Sequence, residues 1–246
     1  MTTTDVNCDG GPVIEYPRIL PASDSSILIE FGDTIDYETN ARVYALQTEI
    51  ENSDLGSSVV EFIPSYRSLL VEYDVSECLY ADLNERVNDL IGKTAISDGT
   101  TINSDQNAHE IPVAYGGDYG PDLENVATHA GLTTDEVIAI HSSTDYRVFM
   151  LGFAPGFPYL GGMDSRIACP RLATPRTLVP AGAVGIAESQ TGVYPNPSPG
   201  GWQIIGRTPM KLFDVDADPP SAMLPGTKVT FVPIANDEFE TMVGSE

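Results

Sequence analysis

Lysine is almost absent from this 246-residue chain, which contains only Lys93, Lys211 and Lys228. Lysine and arginine together number 12 against 36 aspartates and glutamates, a formal net charge of −24. Such a surface repels nucleic acid and anionic membrane, so neither is expected as a partner. No stretch approaches the roughly 18 apolar residues of a spanning helix. Residues 1–11 hold no basic residue and no apolar run, which argues against a secretory signal. Cysteine is scarce as well. Cys8, Cys78 and Cys169 lie far apart, form no zinc-ligand spacing and are odd in number. They read as reduced thiols of a cytoplasmic protein, with no metal site expected.

What is present is a globular composition, 41% hydrophobic and 8% aromatic. The acids are dispersed along the chain and not gathered in a tail. A threefold acidic excess with so little lysine suits a haloarchaeal cytoplasm, where salt screens the self-repulsion.

Residues 1–15 read as a flexible leader. Residues 16–96 carry the pattern strand, helix, strand, strand, helix. Ile27 to Phe31 is the first strand, and Val43, Leu46 and Ile50 share one face of the first helix. Val59–Ile63 and Ser68–Tyr73 read as strands, and Leu79, Leu83, Val87 and Ile91 as a second helix face closed by Gly92. This order predicts a small α+β domain of the ferredoxin-like kind. Residues 97–107 are polar and read as a linker to a second domain over 108–246. There, Thr133 and Glu136 form a capping-box pattern ahead of Val137. From Arg147 onward short β-branched and aromatic runs alternate with Gly/Pro turns, which predicts a barrel or sandwich.

The stretch Arg147 to Lys211 breaks the acidic pattern. It carries six cations against Asp164 and Glu188, a net +4, while the other 181 residues carry −28. Burial accounts for missing acids, but not for five arginines, since a buried guanidinium without a partner is costly. An anion site is the alternative, because arginine grips carboxylate or phosphate with a planar fork. Residues 149–210 also hold 10 of the 22 glycines and 9 of the 19 prolines, which make rigid, shaped loops. His141 shares a helix face with Val137, where a satisfied structural histidine is one reading and a functional one the other. Gly92-Lys93-Thr94 imitates the end of a phosphate-binding loop, but Val87 stands where its first glycine belongs.

These same residues carry a resemblance. Ile111-Pro112-Val113-Ala114-Tyr115-Gly116-Gly117, Gly120-Pro121-Asp122-Leu123 and His141-Ser142-Ser143 open it. Leu151-Gly152-Phe153-Ala154-Pro155-Gly156-Phe157-Pro158-Tyr159-Leu160, Pro170-Arg171, Pro175-Arg176 and Val179-Pro180-Ala181-Gly182 continue it. Gln190-Thr191-Gly192-Val193-Tyr194-Pro195, Pro199-Gly200-Gly201-Trp202 and Ile205-Gly206-Arg207-Thr208 complete it. In order and spacing, residues 111–232 resemble the family of 5-oxoprolinase B subunits. That family is also known under the name of an allophanate hydrolase component and includes a sporulation histidine-kinase inhibitor.

The resemblance implies a cyclophilin-like β-barrel after the small α+β domain. It implies homologous C and A subunits as partners and ATP-dependent opening of 5-oxo-L-proline to L-glutamate. ATP, with magnesium, is expected at the level of the complex, with no tightly bound cofactor. Two other functions are open: a kinase-binding inhibitor, and a component for urea or allophanate carboxyl transfer.

On this reading His141 is a general acid/base, and Arg176 and Arg171, with Arg207, take the negative charge. Gln190 and Tyr194 orient the amide, and Phe153, Phe157, Tyr159 and Trp202 wall the pocket. Pro155, Gly156, Pro180, Gly182, Thr191, Gly192, Gly200 and Gly201 complete the substrate-contacting set, although core packing explains the aromatics and tight turns the glycines equally well. Ala183 stands where the family pattern has serine, and Arg207 where it has histidine.

Overall fold

The computed structural model describes residues 14–93 and 108–244. The predicted linker lies outside the described residues, as does nearly all of the predicted leader. The chain divides into two compact units, residues 1–102 and 103–246.

The first unit is one antiparallel sheet with two helices. Its strands are β1 (Arg18–Ser23), β2 (Ser26–Glu30), β3 (Val59–Pro64) and β4 (Ser68–Tyr73), in the order β1-β2-β4-β3. Helix α1 (Tyr37–Glu51) follows β2, and α2 (Tyr80–Lys93) follows β4. Alternation sorts the faces: Ile27, Ile29, Leu69 and Val71 are fully buried, with Val43, Leu46 and Ile50 of α1 and Leu83 and Val87 of α2 in the same cluster. Full burial of each such side chain contributes about 1.5–3 kcal/mol. Asp36 starts α1 by accepting from the Thr39 N–H at 2.8 Å.

Two expectations are corrected here. The predicted strand–helix–strand–strand–helix run is present from β2 to α2. The fourth sheet position, however, is taken by β1, which precedes the run, so the strand order of a ferredoxin-like domain is not reproduced among the described residues. Pro21 hid β1, because proline demotes a strand in the sequence but is tolerated at a sheet edge. Leu79 does not join the buried face of α2. It lies just before the helix and is 66% exposed.

The second unit is a closed barrel. Its staves are β5 (Ala108–Tyr115), β6 (Tyr146–Leu151), β7 (Pro158–Gly161), β9 (Ala183–Ala187), β10 (Gln190–Val193), β12 (Gln203–Arg207) and β13 (Lys228–Pro233). The circuit runs β10-β7-β6-β13-β5-β12-β9 and closes by β9 pairing with β10. A two-stranded ribbon, β8 (Arg176–Val179) with β11 (Ser198–Gly200), lies outside it. Every barrel pairing is antiparallel except β5 with β13, which are parallel over six residue pairs from Ala108↔Lys228 to Val113↔Pro233. Helices α3 (Leu123–Ala130) and α4 (Thr134–Ser143) bridge β5 to β6, and α5 (Asn236–Val243) ends the described chain. The expected capping box of α4 is formed: the Glu136 N–H donates to Thr133 Oγ1, and Glu136 Oε2 accepts from the Thr133 N–H.

The barrel core contains Ile111, Val113, Val148, Leu160, Ile186, Val193, Ile205 and Phe231. A separate apolar cluster of Phe157, Val179, Ala183, Tyr194, Trp202 and Ile204 gathers where the ribbon meets the barrel, and it frames the candidate site.

Candidate functional site

The site is a cleft of about 100 Å³ beside this aromatic cluster. Phe157 forms its floor. Its ring stands at 5.3 Å and 90° from Tyr194, 5.5 Å and 83° from Trp202, and 4.9 Å from Tyr159. Edge-to-face contacts of this kind hold rings in fixed orientations, each contributing about 0.5–1.5 kcal/mol beyond area burial. Gly192 makes the floor possible: a Cβ there would meet Pro158 O at 2.9 Å and the Phe157 ring at 3.1 Å. Phe153 stands at the mouth, 62% exposed, with its ring 5.4 Å from Phe157 and 6.1 Å from Tyr194. Its backbone is left-handed at φ 63°, a strained conformation for a bulky residue. Gly200, Gly201 and Arg171 complete the rim.

Arg171 gives the cleft its charge. It is exposed, and no carboxylate pairs with it among the described residues. Burial raises the pKa values of the Tyr159 and Tyr194 phenols, and the positive charge of Arg171 opposes that rise in both. The other arginines of the basic stretch differ. Arg166 pairs with Asp164 at 2.7 Å on the surface. Arg176 Nη2 donates to Asp122 Oδ1 at 2.7 Å, and Asp122 Oδ2 accepts from the Ile204 N–H at 2.7 Å. Arg207 Nε donates to the Ala181 carbonyl at 2.8 Å, and its guanidinium lies over the Phe239 ring.

Every residue lining the cleft belongs to the motif stretches singled out in the sequence. Other expected site residues lie elsewhere. His141 is 0% exposed, inside the barrel. Its Nδ1 is 2.8 Å from the Tyr115 hydroxyl and its Nε2 is 3.0 Å from Thr191 Oγ1. Thr191 gives its own proton to the Gly185 carbonyl. It therefore accepts from Nε2–H, and Nδ1 accepts from Tyr115. Burial lowers the His141 pKa to about 3. A neutral imidazole with both nitrogens engaged is a structural group, which corrects its assignment as the acid/base. Thr191 is corrected with it, since its hydroxyl is spent on this chain.

Arg176 is likewise corrected from anion-gripping to structural, because its charge is matched by Asp122. Gln190 starts β10, half-buried, and does not line the cleft. Pro180 and Gly182 form the turn before β9, where the Gly182 N–H donates to the Tyr194 carbonyl at 2.7 Å. Pro155 and Gly156 line a separate open hollow of about 430 Å³ that shares only Phe153 with the cleft. Asp122 had no role in the sequence reading. In the sequence it appears only within Gly120-Pro121-Asp122-Leu123, and nothing local there marks Arg176 as its partner.

ATP, implied by the resemblance, does not fit this cleft. Drug-sized ligands occupy pockets of about 300–1,000 Å³, and a single unpaired guanidinium offers little for a triphosphate. The arrangement suits a small, flat, singly charged anion. The aromatic faces offer an apolar surface, Arg171 a positive charge, and Tyr159 and Tyr194 stand in the walls.

The closed seven-strand barrel belongs to a carboxyltransferase-type domain. The family model described as carboxyltransferase domain, subdomain C and D, matches residues 17–223. The K. lactis urea amidolyase structure shares the fold, with a TM-score of 0.74 at 21% identity over 98% of this chain and 17% of that one. More similar is the 5-oxoprolinase B subunit of Bacillus subtilis, 44% identical over 231 residues, covering 90% of this chain and 95% of the relative. A conserved uncharacterized protein from Pyrococcus horikoshii is 49% identical, with a TM-score of 0.54 over 90% of this chain and all of that one. The chain belongs to the family of 5-oxoprolinase B subunits.

Proposed function

We propose that this chain is the B subunit of an ATP-dependent 5-oxoprolinase, working with C and A subunits in a salt-rich cytoplasm to open 5-oxo-L-proline to L-glutamate. The observation that carries the reading is Arg171, an arginine without a carboxylate partner among the described residues, at the rim of an aromatic cleft sized for one small ring. The 5-oxoproline molecule is a flat five-membered lactam bearing one carboxylate, so each part has a counterpart: guanidinium for carboxylate, aromatic faces for the ring. The cleft binds and orients the substrate and excludes water from one of its faces. The nucleotide site lies outside the cleft, in keeping with a component that acts only within an assembly.

The test is reconstitution. The chain is co-expressed with C and A subunits and ADP release is followed with 5-oxo-L-proline, omitting each component in turn. Release should depend on this chain. Arg171→Gln should raise KM about tenfold, the loss of one charge-assisted hydrogen bond, with little change in stability. ADP release with urea or allophanate but not with 5-oxoproline would move the substrate assignment to the carboxyl-transfer class.

A further inference from the structure

Tyr194 is only 1% exposed, yet it lines the cleft. A phenol carries one proton to donate, and no acceptor takes it among the described residues. Gly200 keeps the hydroxyl reachable, because a Cβ there would stand 2.4 Å from Tyr194 Oη. Two guanidiniums, Arg171 and Arg176, act on the same phenol. Arg176 Nη1 is itself buried without a hydrogen-bond partner. The cleft therefore combines an exposed cation, Arg171, with a phenol O–H that no acceptor takes among the described residues.

We propose that Tyr194 is the specificity-determining donor of the cleft: it gives its O–H to the substrate's lactam carbonyl oxygen while Arg171 takes the carboxylate. This rests on the 5-oxoprolinase reading above. In 5-oxoproline the carboxylate-bearing carbon and the carbonyl carbon flank the ring nitrogen. Both acceptors thus emerge along one edge, and the two methylenes are left for the aromatic faces. Proline, the saturated counterpart, fails twice. It has no lactam carbonyl for Tyr194, and its ammonium meets the positive charge of Arg171. A site built to hydrogen-bond one substrate group rejects analogues lacking it far better than an apolar slot rejects a methylene.

The test uses the assembled complex, with two probes of the cleft: 5-oxo-L-proline as substrate, and cyclopentanecarboxylate as a competitive inhibitor with the same ring size and carboxylate but no carbonyl. In the native complex the inhibitor should bind about tenfold more weakly than the substrate, the cost of one lost neutral hydrogen bond. Tyr194→Phe should raise KM for 5-oxoproline about tenfold and leave the inhibition constant of cyclopentanecarboxylate unchanged. Arg171→Gln should weaken both. Equal shifts of both ligands in Tyr194→Phe, or no shift in either, overturn the proposal. So does equal binding of the two ligands to the native complex, a comparison that needs no variant to fold. If the native complex releases no ADP with 5-oxoproline at all, the parent reading fails first and this proposal falls with it.

Discussion

Arg176 and Asp122, 54 residues apart in the chain, meet at 2.7 Å, and the second carboxylate oxygen of Asp122 holds the backbone N–H of Ile204. The Asp122 side chain is 5% exposed and that of Arg176 30%. One carboxylate thus ties the start of α3 to both the outer ribbon and the barrel wall.

Asp122→Asn should therefore cost stability. It leaves a largely buried guanidinium without its counter-charge, a loss of about 3 kcal/mol or more. Chemical-denaturation midpoints will show it. The double variant Asp122→Asn with Arg176→Gln should recover much of the loss. A double variant no more stable than the single one would mean that the pair is not what Asp122 contributes.

His141 should make the protein acid-sensitive in a defined window. Burial holds its folded pKa near 3, below the unfolded value of 6.5. For a histidine depressed in this way the contribution is intact above about 6.5, where both states are neutral. As pH falls below that value the unfolded state takes up a proton that the folded state refuses. The loss is about 1.4 kcal/mol per pH unit, continuing until the folded pKa is reached. In His141→Gln the fall in stability between pH 7 and 5 should be shallower by that slope. Identical slopes would rule out the neutral, buried imidazole.

The net charge of −24 predicts that salt stabilises the fold. Raising KCl from about 0.1 M to about 1 M shortens the screening length from about 10 Å to about 3 Å and weakens the self-repulsion of the acids. The melting temperature should climb by several degrees over that range. A flat or falling trend would remove the high-salt habitat from the reading.

Much of this was legible in the chain. Helix α4 announced itself through Thr133 and Glu136, because a capping box is a local device. The barrel showed in the Gly/Pro-punctuated β-branched runs after Arg147, and the cleft residues all fall in the motif stretches of the same region. What stayed hidden depends on distant partners. Arg171 and Arg176 are five positions apart and chemically identical, and only the placement of Asp122 separates an ion-paired arginine from one open to ligand. The His141 spacing put it on the face of Val137 but could not say that this face meets Tyr115 and Thr191. The strain at Phe153 is likewise a product of the loop it closes.

The parallel seam between β5 and β13 has a consequence for synthesis. Residues 108–113 find their partner only at 228–233, so a nascent chain cannot shut its barrel until nearly all of it has left the ribosome. Until then β5 and β6 each present a raw edge. Long-range closure of this kind is slow and leaves sticky surface open to neighbours. The acidic coat keeps emerging copies apart during that interval, so the charge that burdens the finished fold also safeguards its assembly.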